Sequence, residues 1–465
     1  MQKIIINNFG PINNAEIEIK KAIVLIGEQA TGKSTIAKLI YYFKSLREDL
    51  FNTIYNNSLS NNSFRFNYTK HLIIPSRAKF YNFFGSTFHM RNFEIIFFYD
   101  VEHDKYLKLT LNAEKKLETF FSDSFKLGDL GAQITGIRKL LPDKINENNI
   151  SDVLAFNQEK LKYAEKLSNI LKELFCCKQD DKLFVVAGRN ATVGYSESFE
   201  KQFLIDTHTQ YEKSFKKKQQ TIDETLMLDF MQRVAEMKGL FRKFNGFEGF
   251  LRTFSPNKKE KIINVLTKTE SVLKGKYKID NFGEHIIFNS KSQEHVDLSN
   301  SSSGQQEVIR ILQDIFLSIA QNKNVLRIVE EPEAHLFPIA QKSVVELLAQ
   351  MANNNENNQL IITTHSPYVL TVLNNLLFAQ RVINKNKDAE KEVCEIIDKD
   401  ALMKPDDFSA YVLSVDTNDN NVCSKPIVDE TTGMIAQNYL DTVSEILGNE
   451  FNALYKIHAK TFQRQ

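Results

Sequence analysis

Between positions 27 and 35 the chain reads "GEQATGKST", which fits the spacing G-x-x-x-x-G-K-[ST] residue for residue. Glycine at 27 and 32 lets the backbone curl until several N–H groups and a helix N-terminus point at one anion. The lysine that follows can reach the β and γ phosphates, and the next hydroxyl can join a Mg²⁺ shell. Gly27, Ala30, Thr31, Gly32, Lys33, Ser34 and Thr35 together are therefore suited to hold a nucleoside triphosphate, with Ser34 on the metal. Such a loop serves kinases, GTPases, helicases and transport-type ATPases alike.

Later residues narrow the choice. At 325–333 stands "VLRIVEEPE", an apolar run ending in two acids. Glu330 at the end of a strand can hold a Mg²⁺ shell through water, and Glu331 can polarise an attacking water. Two adjacent acids also serve as a plain solvated strand end. At 301–305 stands "SSSGQ", where serine and glycine at a helix tip make a second anion site, or simply an N-cap. Finally "IITTHSP" at 361–367 sets His365 just past an apolar run, where it can bond a γ phosphate or a water, or do nothing.

The elements that must position these residues are also readable. "AIVLIG" before the glycine loop reads as a strand, and "STIAKLIYYFKSL" after it carries apolar residues at 36, 39, 40 and 43, a helical spacing. Strands are further expected at residues 3–7 and at "AEIEIK", "FEIIFFYDV", "YLKLTLN" and "GEHIIFNS". "GQQEVIRILQDIFLSIAQ" and "PIAQKSVVELLAQMA" read as helices alternating with the buried strands "NVLRIVEE" and "QLIITTHS". Such alternation predicts an α/β fold with a partly parallel sheet. Residues 112–280 change character to charged helical segments interrupted by the strand-like "KLFVVAG", which reads as an insertion.

Glycine loop, "SSSGQ", "VEEPEAH" and "TTHS" follow one another in the order of Walker A, signature, Walker B with D-loop, and switch histidine. The chain thus resembles ABC-type ATPases, and within them the group containing SMC, RecF and the OLD family, whose versions of these motifs "FGPI", "EEPEAHLFP" and "ITTHSPYVL" look like. The resemblance implies an α/β P-loop NTPase head with a mixed sheet and an inserted, mainly helical subdomain. It divides the chain into a Walker A lobe (1–110), the insertion (111–284), a lobe with signature, Walker B and switch (285–400) and a mixed C-terminal segment (401–465).

It also implies ATP and Mg²⁺ as ligands, Ser302, Gly304 and Gln305 as the signature, Ser34 and Glu330 at the metal, and Lys33, Glu331 and His365 in catalysis. No glutamine around "NFFGSTFHMRNFEIIF" answers to the family's Q-loop. In such proteins the signature of one copy closes over nucleotide held by another, so a homodimer or higher oligomer is expected.

Composition removes several alternatives. The 59 basic and 58 acidic residues give a net charge of +1, so no global field draws the chain to nucleic acid or lipid. Cysteines at 176, 177, 394 and 423 lack zinc spacing and suit a reducing compartment. "MQKIIINNFG" has no signal-peptide pattern and no apolar run could span a bilayer, so a cytoplasmic protein without membrane contact is expected.

The insertion lacks a long heptad run and a C-x-x-C hook, unlike SMC and the zinc-hooked repair ATPases. After "ITTHSP" there is no acid set for an OLD nuclease, so no nuclease activity of its own is expected. What is left resembles the ATPase subunits of multi-gene prokaryotic antiphage systems such as PARIS or Septu, which implies a separate effector, a nuclease. "VVAGRN" and the C-terminal "DFSAYVLSV…IVDETTGMI" are similar to stretches of such ATPases. The alternative is a RecF-like DNA repair clamp acting on DNA directly. The lysine-rich "KSFKKK" (213–218) and "NKKEK" (257–261) could supply phosphate contacts, or, with acids flanking both runs, be solvated helix faces.

Overall fold

A computed structural model of the protein describes residues 1–60, 64–126, 130–139, 141, 150–194, 221–289, 291–415, 421–436 and 448–456. Its frame is a mixed sheet of eleven strands in the order β6-β5-β4-β1-β2-β14-β13-β3-β12-β11-β7. The strands are β1 (Gln2–Phe9), β2 (Ile12–Ile19), β3 (Ala22–Gly27), β4 (Glu94–Asp100), β5 (Lys105–Leu111), β6 (Leu117–Phe121), β7 (Asp181–Val185), β11 (Val325–Glu330), β12 (Gln359–Thr364), β13 (Phe408–Val415) and β14 (Val422–Pro426). A second sheet of three strands holds β8 (Lys276–Ile279), β9 (Glu284–Asn289) and β10 (Glu294–Asp297).

Residue patterning separates the two halves of the large sheet. In β1 and β2 the apolar residues alternate, so Ile4, Ile6, Ala15 and Ile17 face the core while Glu16 and Glu18 point outward. That period suits an antiparallel wing, in which β1 pairs antiparallel with both β2 and β4. β3, β11 and β12 are instead buried on both faces along most of their length, with apolar residues predominating. These strands pair in parallel, β12 with β3 and β11, and β11 with β7, as strands covered by helices on both sides must.

Helix α1 (Lys33–Ser60) crosses this sheet, burying Ile36, Ile40, Phe43, Leu46, Leu50 and Ile54 at helical spacing. Helices α2 (Ile74–Phe84), α3 (Ile150–Leu174), α4 (Ile222–Lys243) and α5 (Pro256–Leu273) follow, and then α6 (Ser303–Gln321), α7 (Pro338–Asn353) and α8 (Pro367–Lys385). A buried ionic staple fixes the parallel core to its cover. Arg327 on β11 donates to Asp314 of α6 through Nε (2.5 Å) and Nη2 (3.0 Å) and to the Asp181 side chain on β7 through Nη1 (3.2 Å).

The segment expected as an insertion contributes helices α3, α4 and α5, and it also adds β6 and β7 to the large sheet. The reason is local: Leu183, Phe184 and Val185 need burial, and β11 offers an edge with unpaired backbone groups. From the C-terminal segment, β13 pairs in parallel with β3, and β14 bridges β13 to β2. No helix among the described residues is long and apolar enough to cross a membrane. Residues 213–218, with the first lysine cluster, lie outside the described residues.

Candidate nucleotide site

The glycine loop leaves β3 at the centre of the parallel core and enters α1. Gly27 has φ +155° and Gly32 φ +91°. A Cβ on Gly27 would stand 2.2 Å from the Leu413 carbonyl oxygen, and one on Gly32 2.7 Å from Ile12 Cγ1, so both positions require glycine. Ala30 lies exposed at φ +61°, Thr31 is buried and donates to the Glu28 carbonyl at 2.8 Å, and Ser34 and Thr35 are half-buried in the first turn of α1. The Lys33 ammonium donates to the loop's own carbonyls, Gly27 (2.8 Å) and Glu28 (2.6 Å). Burial pushes it below the ordinary lysine value, while Glu331 and Glu333 act the other way.

Three distant segments meet at this lysine. His365, directly after β12, has Nδ1 at 3.5 Å from Lys33 Nζ and Nε2 at 3.2 Å from Glu331 Oε1. Parallel pairing of β11 with β12 and of β12 with β3 makes the meeting possible, since all three strands then end on the same side. Glu330 and Glu331 are adjacent yet differ in surroundings. Glu330, buried at the end of β11, accepts from the Ala187 N–H at 3.3 Å through Oε2, while its buried Oε1 has no hydrogen-bond partner among the described residues. Glu331 takes φ +44°, a left-handed conformation costing of order 1–3 kcal/mol, and its carboxylate is partly exposed beside His365.

The surrounding structure imposes that conformation. The Glu331 N–H donates to Thr363 O at 2.8 Å, extending the ladder with β12 by one residue. Its carbonyl receives the Ala334 N–H at 3.0 Å and Arg189 Nη2 at 2.9 Å. Arg189, fully buried in the loop after β7, also donates to the carbonyls of Glu330 (2.6 Å) and Val186 (3.1 Å) through Nη1 and to the Glu307 carbonyl through Nε (3.2 Å). Glu307 on α6 in turn accepts the Arg189 N–H at 3.0 Å. One guanidinium thus ties the two glutamates to the helix that carries the serine-rich tip.

Sequence reading missed Arg189 as a site residue, although "VVAGRN" places an arginine just after an apolar strand. It missed Glu333 as well, whose Oε1 accepts from Thr364 Oγ1 (2.6 Å) and the His365 N–H (3.0 Å). The stretch that lacks a Q-loop glutamine, residues 82–97, leads into β4 in the antiparallel wing. The loop that touches Glu330 from the far side is the one after β7.

The serine-rich tip is self-contained. Ser302 is the N-cap of α6, its hydroxyl accepting the Gln305 N–H at 3.3 Å, while Gln305 Oε1 accepts the Ser302 N–H at 3.1 Å. Gln305 Nε2 donates to the Leu273 carbonyl at 2.7 Å. A Cβ on Gly304 would stand 2.7 Å from the His335 carbonyl oxygen, so this glycine lets α6 approach the turn after Glu331. Ser302 and Ser303 are exposed, and no hydrogen bond among the described residues joins Ser302, Gly304 or Gln305 to the glycine loop.

A family model described as an AAA ATPase domain, AAA_15, matches residues 1–370. The chain belongs to this ATPase family. Among solved structures it is similar to the SMC head bound to the C-winged helix domain of ScpA, at 10% identity and a TM-score of 0.39, covering 92% of this chain and 98% of that one. It is similar to the SMC head domain from Thermotoga maritima at 10% identity and a TM-score of 0.34, covering 91% and 98%. With the recombination mediator RecF it shares 11% identity at a TM-score of 0.28, covering 91% and 97%. No curated protein matches the chain.

Proposed function

We propose that this chain is the ATP-driven scaffold subunit of an antiphage defence assembly, in which two copies close over ATP and so hold or release a separate effector, a nuclease. The observation that supports its ATPase core is the line from Lys33 through His365 to Glu331, drawn from segments about three hundred residues apart in sequence; the defence role and the effector rest on the resemblance to antiphage ATPases.

A triphosphate with its divalent cation fits the residues present. Gly27 and Gly32 give the loop a positive-φ curl that a side chain would block against Leu413 and Ile12, and Glu330 keeps one buried oxygen with no hydrogen-bond partner among the described residues. Gly27 to Thr35 would hold the phosphates, and Ser34 and Glu330 the Mg²⁺. When bound, ATP supplies a γ-phosphoryl group for transfer to water, with Mg²⁺ neutralising charge. Lys33 exchanges the carbonyls of Gly27 and Glu28 for phosphate oxygens. Glu331 accepts the proton of the attacking water, and His365 orients its carboxylate. Arg189 fixes the backbone on both sides of that carboxylate, and so acts as a positioning residue.

Closure by a second copy is supported by the exposed Ser302 and Ser303, whose helix tip is satisfied within its own chain and is free to meet a phosphate held elsewhere. An effector rather than a chromosome-scale tether is supported by the insertion's described helices, the longest of which is α3 with 25 residues. A direct DNA grip through the second lysine cluster is less favoured, since Lys261 already pairs with Asp400 at 3.3 Å.

Glu331→Gln tests both halves of the reading. Hydrolysis should fall about 10²–10⁴-fold with ATP retained, a closed pair should accumulate on size-exclusion chromatography, and the product of a neighbouring gene should copurify. Hydrolysis at the parental rate would overturn the role of Glu331. A trapped pair that grips bare DNA strongly and carries no effector would replace the scaffold with a DNA clamp.

A further inference from the structure

The three-stranded sheet lies outside the nucleotide machinery, and one of its faces gathers donors that the reaction does not use. His285 on β9 stands opposite Asp297 on β10, and His295 precedes Asp297 by two residues, which puts both on one face of the strand. A register shift between Glu294 and His295 lies just before this pair. One ligand atom from each of His285, His295 and Asp297 lies within 4.8 Å of the others. The imidazole rings of His285 and His295 stand 4.9 Å apart between centroids, steeply tilted at 71°.

We propose that His285, His295 and Asp297 form a binding site for one transition-metal dication of the zinc class. Two imidazole nitrogens with one carboxylate oxygen are the borderline donors such ions take, whereas Mg²⁺ and Ca²⁺ want oxygen alone. Tetrahedral ligands on bonds of about 2.1 Å stand about 3.4 Å apart, so small side-chain rotations draw the set together. His295 and Asp297 are exposed, which leaves a coordination position to water and a path for the ion.

The outer contacts also fit a metal. A ligating histidine typically offers one nitrogen to the ion and the other to a carboxylate or carbonyl. His285 has Nδ1 at 2.9 Å from Asp297 Oδ1 and Nε2 at 3.3 Å from Asp280 Oδ1, and Asp280 is itself fixed by the Phe282 N–H at 2.8 Å. His295 Nδ1 meets the Gln293 carbonyl at 3.1 Å, which leaves Nε2 for an ion. A neutral imidazole has one N–H and cannot donate to both Asp280 and Asp297. A shared cation between His285 Nδ1 and Asp297 would satisfy both, and the His295 ring stands close enough to join it. Asp297 runs directly into the Leu298–Asn300 turn before Ser302, so a bound ion would tether β9 to the approach of the serine-rich tip.

The test uses the full chain, free of nucleotide and stripped with chelator, titrated with Co²⁺. One equivalent should bind with visible d–d absorption and be displaced by Zn²⁺. His295→Ala and Asp297→Asn, both at exposed positions and checked for folding by circular dichroism, should lose that signal. Asp280→Asn, an outer-contact change, should weaken binding about 10–100-fold. A parent protein that takes up no Co²⁺ would overturn the proposal, as would binding that survives both ligand substitutions.

Discussion

Two helix tips in this molecule are built in different ways. The tip of α1 is built into the sheet: its glycines abut Leu413 and Ile12, and its lysine is buried and bonded to the loop that precedes it. The tip of α6 is exposed and closes on itself through a reciprocal Ser302–Gln305 cap. The first is held in shape by neighbours in the same chain. The second has its backbone donors partly satisfied by its own cap. Under the pairing proposed above, the first tip needs only a ligand, whereas the second gains from a phosphate only when another copy brings one.

The strongest way to break the comparison is Gly27→Ala. Its Cβ would drive into a backbone carbonyl at 2.2 Å from a positive φ, so we expect a loss of more than about 4 kcal/mol in chemical denaturation and no binding of a fluorescent ATP analogue. If the variant binds nucleotide normally, the first tip is not preorganised as described.

A smaller effect concerns what anchors the second tip. Burial alone would push the Glu284 carboxyl up, yet the bidentate pair with Arg310 of α6, at 2.5 and 2.8 Å, holds it at about 2. A carboxylate depressed on folding stabilises above its unfolded value, and the gain is lost as pH falls through the folded one. Ionised Glu284, held by Arg310 with Lys238 and Tyr277 beside it, should therefore contribute stability at neutral pH that fades between about pH 4.5 and 2. Glu284→Gln should flatten that acid limb in denaturation curves taken across the range, and an unchanged limb would remove the anchor.

The smallest effect sharpens the contrast. Ser302→Ala removes a cap worth about 1 kcal/mol, and it should leave ATP binding by a single copy unchanged while lowering hydrolysis at concentrations where copies pair. Equal loss of binding and hydrolysis would mean that the second tip serves its own chain's nucleotide.

Much of the fold is legible in the sequence because its signals are local. The glycine loop between an apolar strand and a helical pattern, the continuous runs of β11 and β12, and the alternation in β1 and β2 each occupy a few consecutive residues. What the sequence leaves open is pairing across distance. Nothing in "KLFVVAG" says that its strand lies beside β11, and so nothing announces that Arg189 reaches the carbonyls of Glu330 and Glu331. The same holds for the candidate site. Lys33, Glu331 and His365 can be named from their motifs, but the left-handed turn at Glu331 follows from contacts made by residues far along the chain.

One consequence concerns synthesis on the ribosome. The carbonyl that abuts Gly27 belongs to Leu413, and β13 and β14 fill the space between β2 and β3. One wall of the glycine loop is thus supplied by a strand that lies far along the chain from the loop itself. A growing chain gains that wall only once β13 has been made.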